Sequence, residues 1–356
     1  MNRLLIILAF LLLEMPNLSA QDNQIEREFS GNFGFGGILA HNKSVRHLAQ
    51  SHPVQTGLEY FLRNPSNPFG SKMKNAGLGY GLHYIDYRSE KLGKSLAALI
   101  FLEPAIGSKF AFRIGTGISW NSRPFSLEDN TSNTMLGSRL SGAMQARLMA
   151  RIPLGKNGLL KSGIGLTHFS NGAYSLPNMG INHFYLFACL GLLKKYPNPA
   201  GNEAPKPKVK IGWNAGIFGS VSAVERYPIN QKKYTVWQIQ TRINYRKGLL
   251  SGFSSGLDFM YNAALASRIK EYSDEKNPGL MIGIPLGHEL FISDRLSLIS
   301  EAGVYLSGNQ KFYPAFYQRY GIRYKTKPGI CLGILLKTHR ANAECMEFNL
   351  GYSFGK

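Results

Sequence analysis

The stretch Trp237-Gln238-Ile239-Gln240-Thr241-Arg242-Ile243-Asn244-Tyr245 alternates large apolar side chains with amides and an arginine. Successive side chains of a strand point to opposite faces, so period-two alternation predicts a strand with one apolar and one polar face. The pattern recurs. Phe110, Phe112, Ile114, Ile118 and Trp120 alternate with Ala111, Arg113, Gly115, Gly117 and Ser119. Leu140, Met144, Ala146, Leu148 and Ile152 alternate with Arg139, Ser141, Gln145, Arg147 and Arg151. In a soluble sandwich the apolar set would face a core. In an outer-membrane barrel it faces lipid, and the polar set lines the interior. Arginines repeated along one face, with glycines between them, suit a wet lumen better than a solvent-facing sheet.

Outward from these three runs the chain divides into sixteen candidate strands. They are 32–40, 54–63, 77–87, 94–102, 109–120, 137–152, 158–170, 182–194, 208–218, 234–246, 249–262, 279–292, 295–306, 316–325, 329–338 and 344–354. Each is near the length of about ten residues that a tilted membrane strand needs. The expected fold is therefore all-β: an antiparallel transmembrane outer-membrane β-barrel of about 12–16 strands. Connection lengths agree. If the first strand runs outward, the outer loops 41–53, 121–136, 171–181, 219–233, 263–278 and 307–315 are mostly long. The inner turns 153–157, 247–248, 293–294 and 326–328 are short, as barrels require. The exceptions are 64–76 and the Pro/Lys-rich connection 195–207.

Composition narrows the class. The chain has 356 residues, 44% hydrophobic and 12% aromatic, which excludes wholesale disorder. Its 39 glycines and many aromatics favour strands and turns over helices. No apolar run long enough for a spanning helix follows the N-terminus. Arg3, the apolar run Leu4 to Leu13 and Leu18-Ser19-Ala20 before Gln21 read as a secretory signal peptide over 1–20. The formal charge of +20 calls for an anionic partner. Export directs that charge away from nucleic acid and toward lipid phosphate or acidic polysaccharide.

Residues 21–356 are expected to form a single barrel domain. The connection 195–207 could divide it into two eight-stranded barrels. One larger barrel is preferred, because a single terminal strand has the form handed to the outer-membrane assembly machinery: Met346, Phe348, Leu350, Tyr352 and Phe354 alternating with Glu347, Asn349, Gly351 and Ser353. A homodimer is compatible with such a barrel. Cys189, Cys331 and Cys345 are odd in number and match no zinc or redox spacing. Cys331 and Cys345 could meet across a hairpin. His41, His47 and His52 lack metal-ligand spacing, and structural or solvated roles are expected for them. Asp274 and Glu275 read as a solvated pair. Gly31 to Gly37 has no following helix and is not a phosphate loop. No cofactor or metal is expected.

Chemistry concentrates near 160–182. His168 and Ser170 stand two apart at the end of the seventh predicted strand, on one face with Leu160, Ile164 and Leu166. A His and a Ser at the outer end of a lipid-facing row are costly unless they work or meet headgroups. A histidine can serve as base to a hydroxyl nucleophile if a third group orients it. Asn171 and the backbone N–H groups of Gly172 and Ala173 could serve an oxyanion. The bland alternative is an interfacial His and Ser followed by an Asn-Gly turn.

His168-Phe169-Ser170-Asn171-Gly172, followed by Pro177-Asn178-Met179-Gly180-Ile181-Asn182, resembles the active-site stretch of the PagL-type lipid A deacylases. These are outer-membrane barrels of an acyloxyacyl hydrolase-like group that remove the 3-O-linked acyl chain of lipopolysaccharide. Weaker resemblance extends over about 30–195, and 208–356 would be additional strands. The resemblance implies that His168 is the general base, Ser170 the nucleophile, and Asn171 with the backbone near Ala173 the oxyanion site. The family's third residue, a Glu, is matched by Asn182. It also implies lipid A of the outer leaflet as substrate and the bacterial outer membrane as location. The basic loop residues Lys43, Arg46, Arg123, Lys232 and Lys233 would then face lipid A phosphates. The alternative function is a non-catalytic barrel: a porin, a transporter or a surface scaffold. A periplasmic β-sandwich is a third reading.

Overall fold

A computed structural model describes residues 24–199, 209–229, 232–308, 314–340 and 342–355. The proposed signal peptide lies outside the described residues. Sixteen long strands form two separately closed antiparallel barrels. The first contains β1 (Gln24–Ile38), β2 (Val54–Arg63), β3 (Gly77–Asp86), β4 (Lys94–Glu103), β5 (Phe110–Asn121), β6 (Leu140–Leu154), β7 (Gly158–Ser170) and β8 (Ile181–Pro197). It closes through β1 against β8, from Gln24↔Pro197 to Ile38↔His183. The second contains β9 (Gly212–Val224), β10 (Tyr234–Arg246), β11 (Ser251–Asn262), β12 (Leu280–Phe291), β13 (Leu296–Ser307), β14 (Phe316–Lys325), β15 (Ile330–His339) and β16 (Asn342–Phe354). It closes through β9 against β16, from Ala215↔Phe354 to Val221↔Phe348.

The strand alternation is realised as expected. On β10, Trp237, Ile239 and Ile243 are exposed, while Gln238, Gln240, Arg242 and Asn244 are buried. On β6, Leu140, Met144 and Leu148 are exposed, while Ser141, Gln145 and Arg147 are buried. The apolar belt is thus outside and the polar face inside, which is the arrangement a hydrocarbon surround demands.

Two expectations are corrected. There is not one barrel but two, and ion-paired side chains meet across each interior. In the first, Glu59 holds both Arg113 (Oε2 to Nη1, 2.7 Å) and Arg147 (Oε1 to Nη1, 2.5 Å). Arg113 also reaches Glu103 at 2.7 Å, and Lys161 reaches Glu28 at 2.8 Å. In the second, Arg242 pairs with Asp258 (2.6 Å) and Glu301 (2.9 Å). Arg319 there pairs with Asp258, Glu301 and Glu347 at 3.0, 2.6 and 2.8 Å. The reason lies in scale. An eight-stranded barrel is just wide enough for side chains to meet across it, whereas sixteen strands enclose a channel. Inward arginines find inward carboxylates within their own half of the chain, and a wide lumen would have parted them.

The three cysteines are free and buried. Cys331 lies opposite Gly351 and Cys345 opposite Lys337, so the supposed hairpin pairing of Cys331 with Cys345 does not form. Gly36 serves close packing between β1 and β8, since a Cβ there would fall 1.9 Å from the carbonyl oxygen of Phe184. No helix among the described residues is long and apolar enough to cross a membrane.

Loops close one end of the first barrel. Ile38, Val45, Leu48, Tyr87, Leu92, Met135 and Leu136 form an apolar plug there with Phe169 of β7 and Ile181 of β8. Phe169 and Ile181 are fully buried, and they fix the ends of the two strands that carry the site.

Candidate active site

Strand parity builds the site. Phe169 points into the plug, so His168 and Ser170 on either side of it point outward. They share that face with exposed Ile164, as the sequence predicted. On β8, the partner of His168 is Asn182, directly opposite it in the ladder. Cross-strand partners have Cβ atoms within about 5.5 Å, which is why residues 14 apart in sequence can touch. His168 Nδ1 donates to Asn182 Oδ1 at 2.7 Å. With its proton on Nδ1, the imidazole presents Nε2 as a lone pair. That is the form a general base requires.

The loop between β7 and β8 completes the surroundings. Asn178 Nδ2 donates to Ser170 Oγ at 2.8 Å, and Asn178 Oδ1 accepts from the Asn171 backbone N–H at 3.1 Å. Asn171 Nδ2 donates to Ser138 Oγ at 2.9 Å. Gly172 and Ala173, the other residues expected at an oxyanion site, follow in the chain with φ of +65° each. Gly180 has φ +77°, and a Cβ on it would stand 2.7 Å from His168 Cε1. The loop backbone is held by Met179 N–H to Thr134 O (3.2 Å) and Gly180 N–H to Met135 O (2.9 Å).

Two residues of this arrangement escaped the sequence reading. Asn178 lies within 177–182, where no sequence pattern assigns its side chain a role. His41 was expected to be structural or solvated, yet its Nδ1 accepts from Asn182 Nδ2 at 2.9 Å. The other first-loop histidines part company with it: His47 Nε2 lies 3.3 Å from Ser132 O, and His52 packs near Phe35. Among the described residues no cluster of three His, Cys, Asp or Glu side chains forms a metal site. Of the basic loop residues, Lys43 and Arg46 are exposed, Arg123 pairs with Asp129 at 3.7 Å and Lys233 with Glu225 at 3.0 Å.

Closed barrels with an apolar exterior and a polar, salt-bridged interior define an outer-membrane β-barrel protein. The hydroxyl of Ser170, the imidazole of His168 and the amide of Asn182 lie at neighbouring strand ends. Family comparisons support a hydrolase built on a barrel of this class. Residues 55–188 match the lipid A 3-O-deacylase (PagL) model, and residues 211–356 match that of the acyloxyacyl hydrolase C-terminal domain. The chain belongs to this PagL-type, acyloxyacyl hydrolase-like family of outer-membrane barrel hydrolases.

No curated protein matches the chain. Among solved structures, the Acinetobacter baumannii outer membrane protein Omp33 is 10% identical over 94% of this chain and 100% of that one, with a TM-score of 0.18. CdiB from Acinetobacter baumannii is 10% identical over 94% of this chain and 61% of that one, with a TM-score of 0.21. A mutant Rh. blastica porin is 10% identical over 93% and 100%, with a TM-score of 0.18. Likenesses at that level bear no weight for function.

Proposed function

We propose that the protein hydrolyses an ester-linked acyl chain of lipid A by acyl transfer through Ser170. The observation that carries this reading is the His168–Asn182 hydrogen bond at 2.7 Å, with Ser170 two residues along the same outward face. His168 Nε2 takes the proton of Ser170 Oγ as the oxygen attacks the ester carbonyl. The tetrahedral intermediate's negative oxygen is met by the Asn178 amide, already on the serine, and by Asn171. His168 then returns the proton to the departing sugar hydroxyl. Water repeats the cycle on the acyl-enzyme and releases the fatty acid. Asn182 holds the imidazole in the required tautomer but supplies no negative charge to the imidazolium. The turnover number is accordingly expected to fall below that of a carboxylate-containing site.

Location supports the substrate. The pair faces outward at a strand end, beside an apolar wall on which acyl chains can lie. Lipid A presents acyl esters next to phosphates, and the +20 charge favours such an anionic surface. The signal peptide over 1–20, handling by the assembly machinery and a homodimer belong to the same reading.

The test is mass spectrometry of lipid A extracted from outer membranes that contain wild type or Ser170→Ala. Wild type should remove one hydroxyacyl mass and the variant none, with both proteins heat-modifiable. Unchanged lipid A with correctly folded wild type would reject lipid A as substrate.

A further inference from the structure

Asn182 poses a problem that a glutamate would not. A carboxylate offers acceptors on both oxygens, so whichever way it turns it fixes the proton on His168 Nδ1. An amide has two unlike ends. With its oxygen toward His168 it selects the tautomer with Nε2 free. With its nitrogen toward His168 it donates to Nδ1, puts the imidazole proton on Nε2 and abolishes the base. In serine proteases an Asn in place of the orienting Asp has the second outcome and costs about 10⁴ in turnover.

The structure shows a contact that couples to this choice. His41 Nδ1 accepts from Asn182 Nδ2 at 2.9 Å, on the far side of the amide from His168. His41 reaches this position because β1 runs alongside β8 as far as Ile38↔His183, after which Leu39 N–H donates to Asn182 O at 2.8 Å. The backbone of the orienting residue and its side chain are thus both tied to the same short segment. With its Nδ1 bare, His41 accepts from the amide nitrogen, and in that arrangement the amide oxygen faces His168 Nδ1.

We propose that His41 is a positioning residue for the reaction. It fixes the side-chain orientation of Asn182 and, through it, the tautomer of His168, so that Asn182 and His41 together replace the single orienting carboxylate. This rests on the proposed hydrolytic role of His168, but its key readout does not require turnover. Three variants test it. His41→Leu removes the acceptor. His41→Asp restores one that can only accept. Asn182→Glu makes the acceptor unnecessary.

In detergent-solubilised full-length protein with ¹⁵N-labelled histidine, the His168 nitrogens should report Nδ1–H and bare Nε2 in wild type and in His41→Asp. His41→Leu should show a mixture or the reverse. With purified lipid A, His41→Leu should lower kcat at least about tenfold with KM within about twofold, as expected when an interaction serves only the transition state. His41→Asp should restore kcat to within about fivefold. In the Asn182→Glu background, His41→Leu should cost less than about threefold, because paired residues are non-additive. An unchanged His168 spectrum in His41→Leu, or equal losses in both backgrounds, would overturn the role of His41. Absence of turnover in every variant would reject the hydrolytic reading, and the nitrogen spectrum would still decide the positioning role.

Discussion

Gly180 sets the space in which His168 stands. Its φ of +77° is a left-handed conformation that an L side chain adopts only under strain, and its missing Cβ leaves room for the imidazole edge. Gly180→Ala should therefore strain the loop by about 1 kcal/mol and displace the ring from Asn182. Because proton transfer demands alignment, deacylation should fall by about a hundredfold. The loop lies outside the strand ladder, so heat-modifiability should persist. An Ala variant with wild-type turnover would show that the ring tolerates the intrusion. The legibility of the site follows from the same distances. His168 and Ser170 were readable together because strand parity puts both on one face, whereas Asn182 entered only through the family resemblance and its place opposite His168 comes from the ladder. His41 was not readable, because 141 residues separate it from Asn182 and only closure of the barrel joins them. Asn178 was hidden for another reason: a loop has no periodicity from which the direction of a side chain can be read.

Strands were legible because each declares itself locally. The spans 54–63, 158–170, 234–246 and 316–325 appear as expected, since unbroken alternation leaves one register that keeps apolar groups in lipid. The pairing partner of a barrel's first strand is a different kind of information. Nothing within β1 distinguishes β8 from β16, and only the filling of the lumen does. Glu59 of β2 is central to that filling, holding Arg113 of β5 and Arg147 of β6 and lying 3.7 Å from His83 of β3. Four strands therefore depend on one carboxylate. Glu59→Ala would leave two fully buried guanidinium groups without it, and breaking a buried pair from one side costs roughly 3–5 kcal/mol. Urea-induced unfolding in detergent micelles should show a loss of that order, with reduced heat-modifiability. A loss below about 1 kcal/mol, the scale of surface pairs, would mean that water replaces the carboxylate and that the lumen is less dry than its burial implies.

At the scale of the whole molecule, the two lumens take up acid and base in nearly equal amounts. Glu26, Glu28, Glu59 and Glu103 in the first, and Asp258, Glu301, Glu344 and Glu347 in the second, all pair inside their barrels. The chain has only 21 acidic residues in total, so much of its negative charge is spent in the interior and the +20 surplus falls on other parts of the chain. Each barrel thus combines a near-neutral interior with a polypeptide that remains strongly cationic, the opposite of an ion channel, where unpaired charge lines the path. The expected consequence is electrical silence. Full-length protein inserted into planar lipid bilayers should give no stable conductance steps in potassium chloride, although its heat-modifiability shows it folded. Glu59→Ala supplies the positive control on the argument: removal of the carboxylate that joins Arg113 to Arg147 opens polar volume in the first lumen, and any leak should begin there. Stable porin-sized steps from wild type would contradict the filled lumens and return the molecule to the transport class.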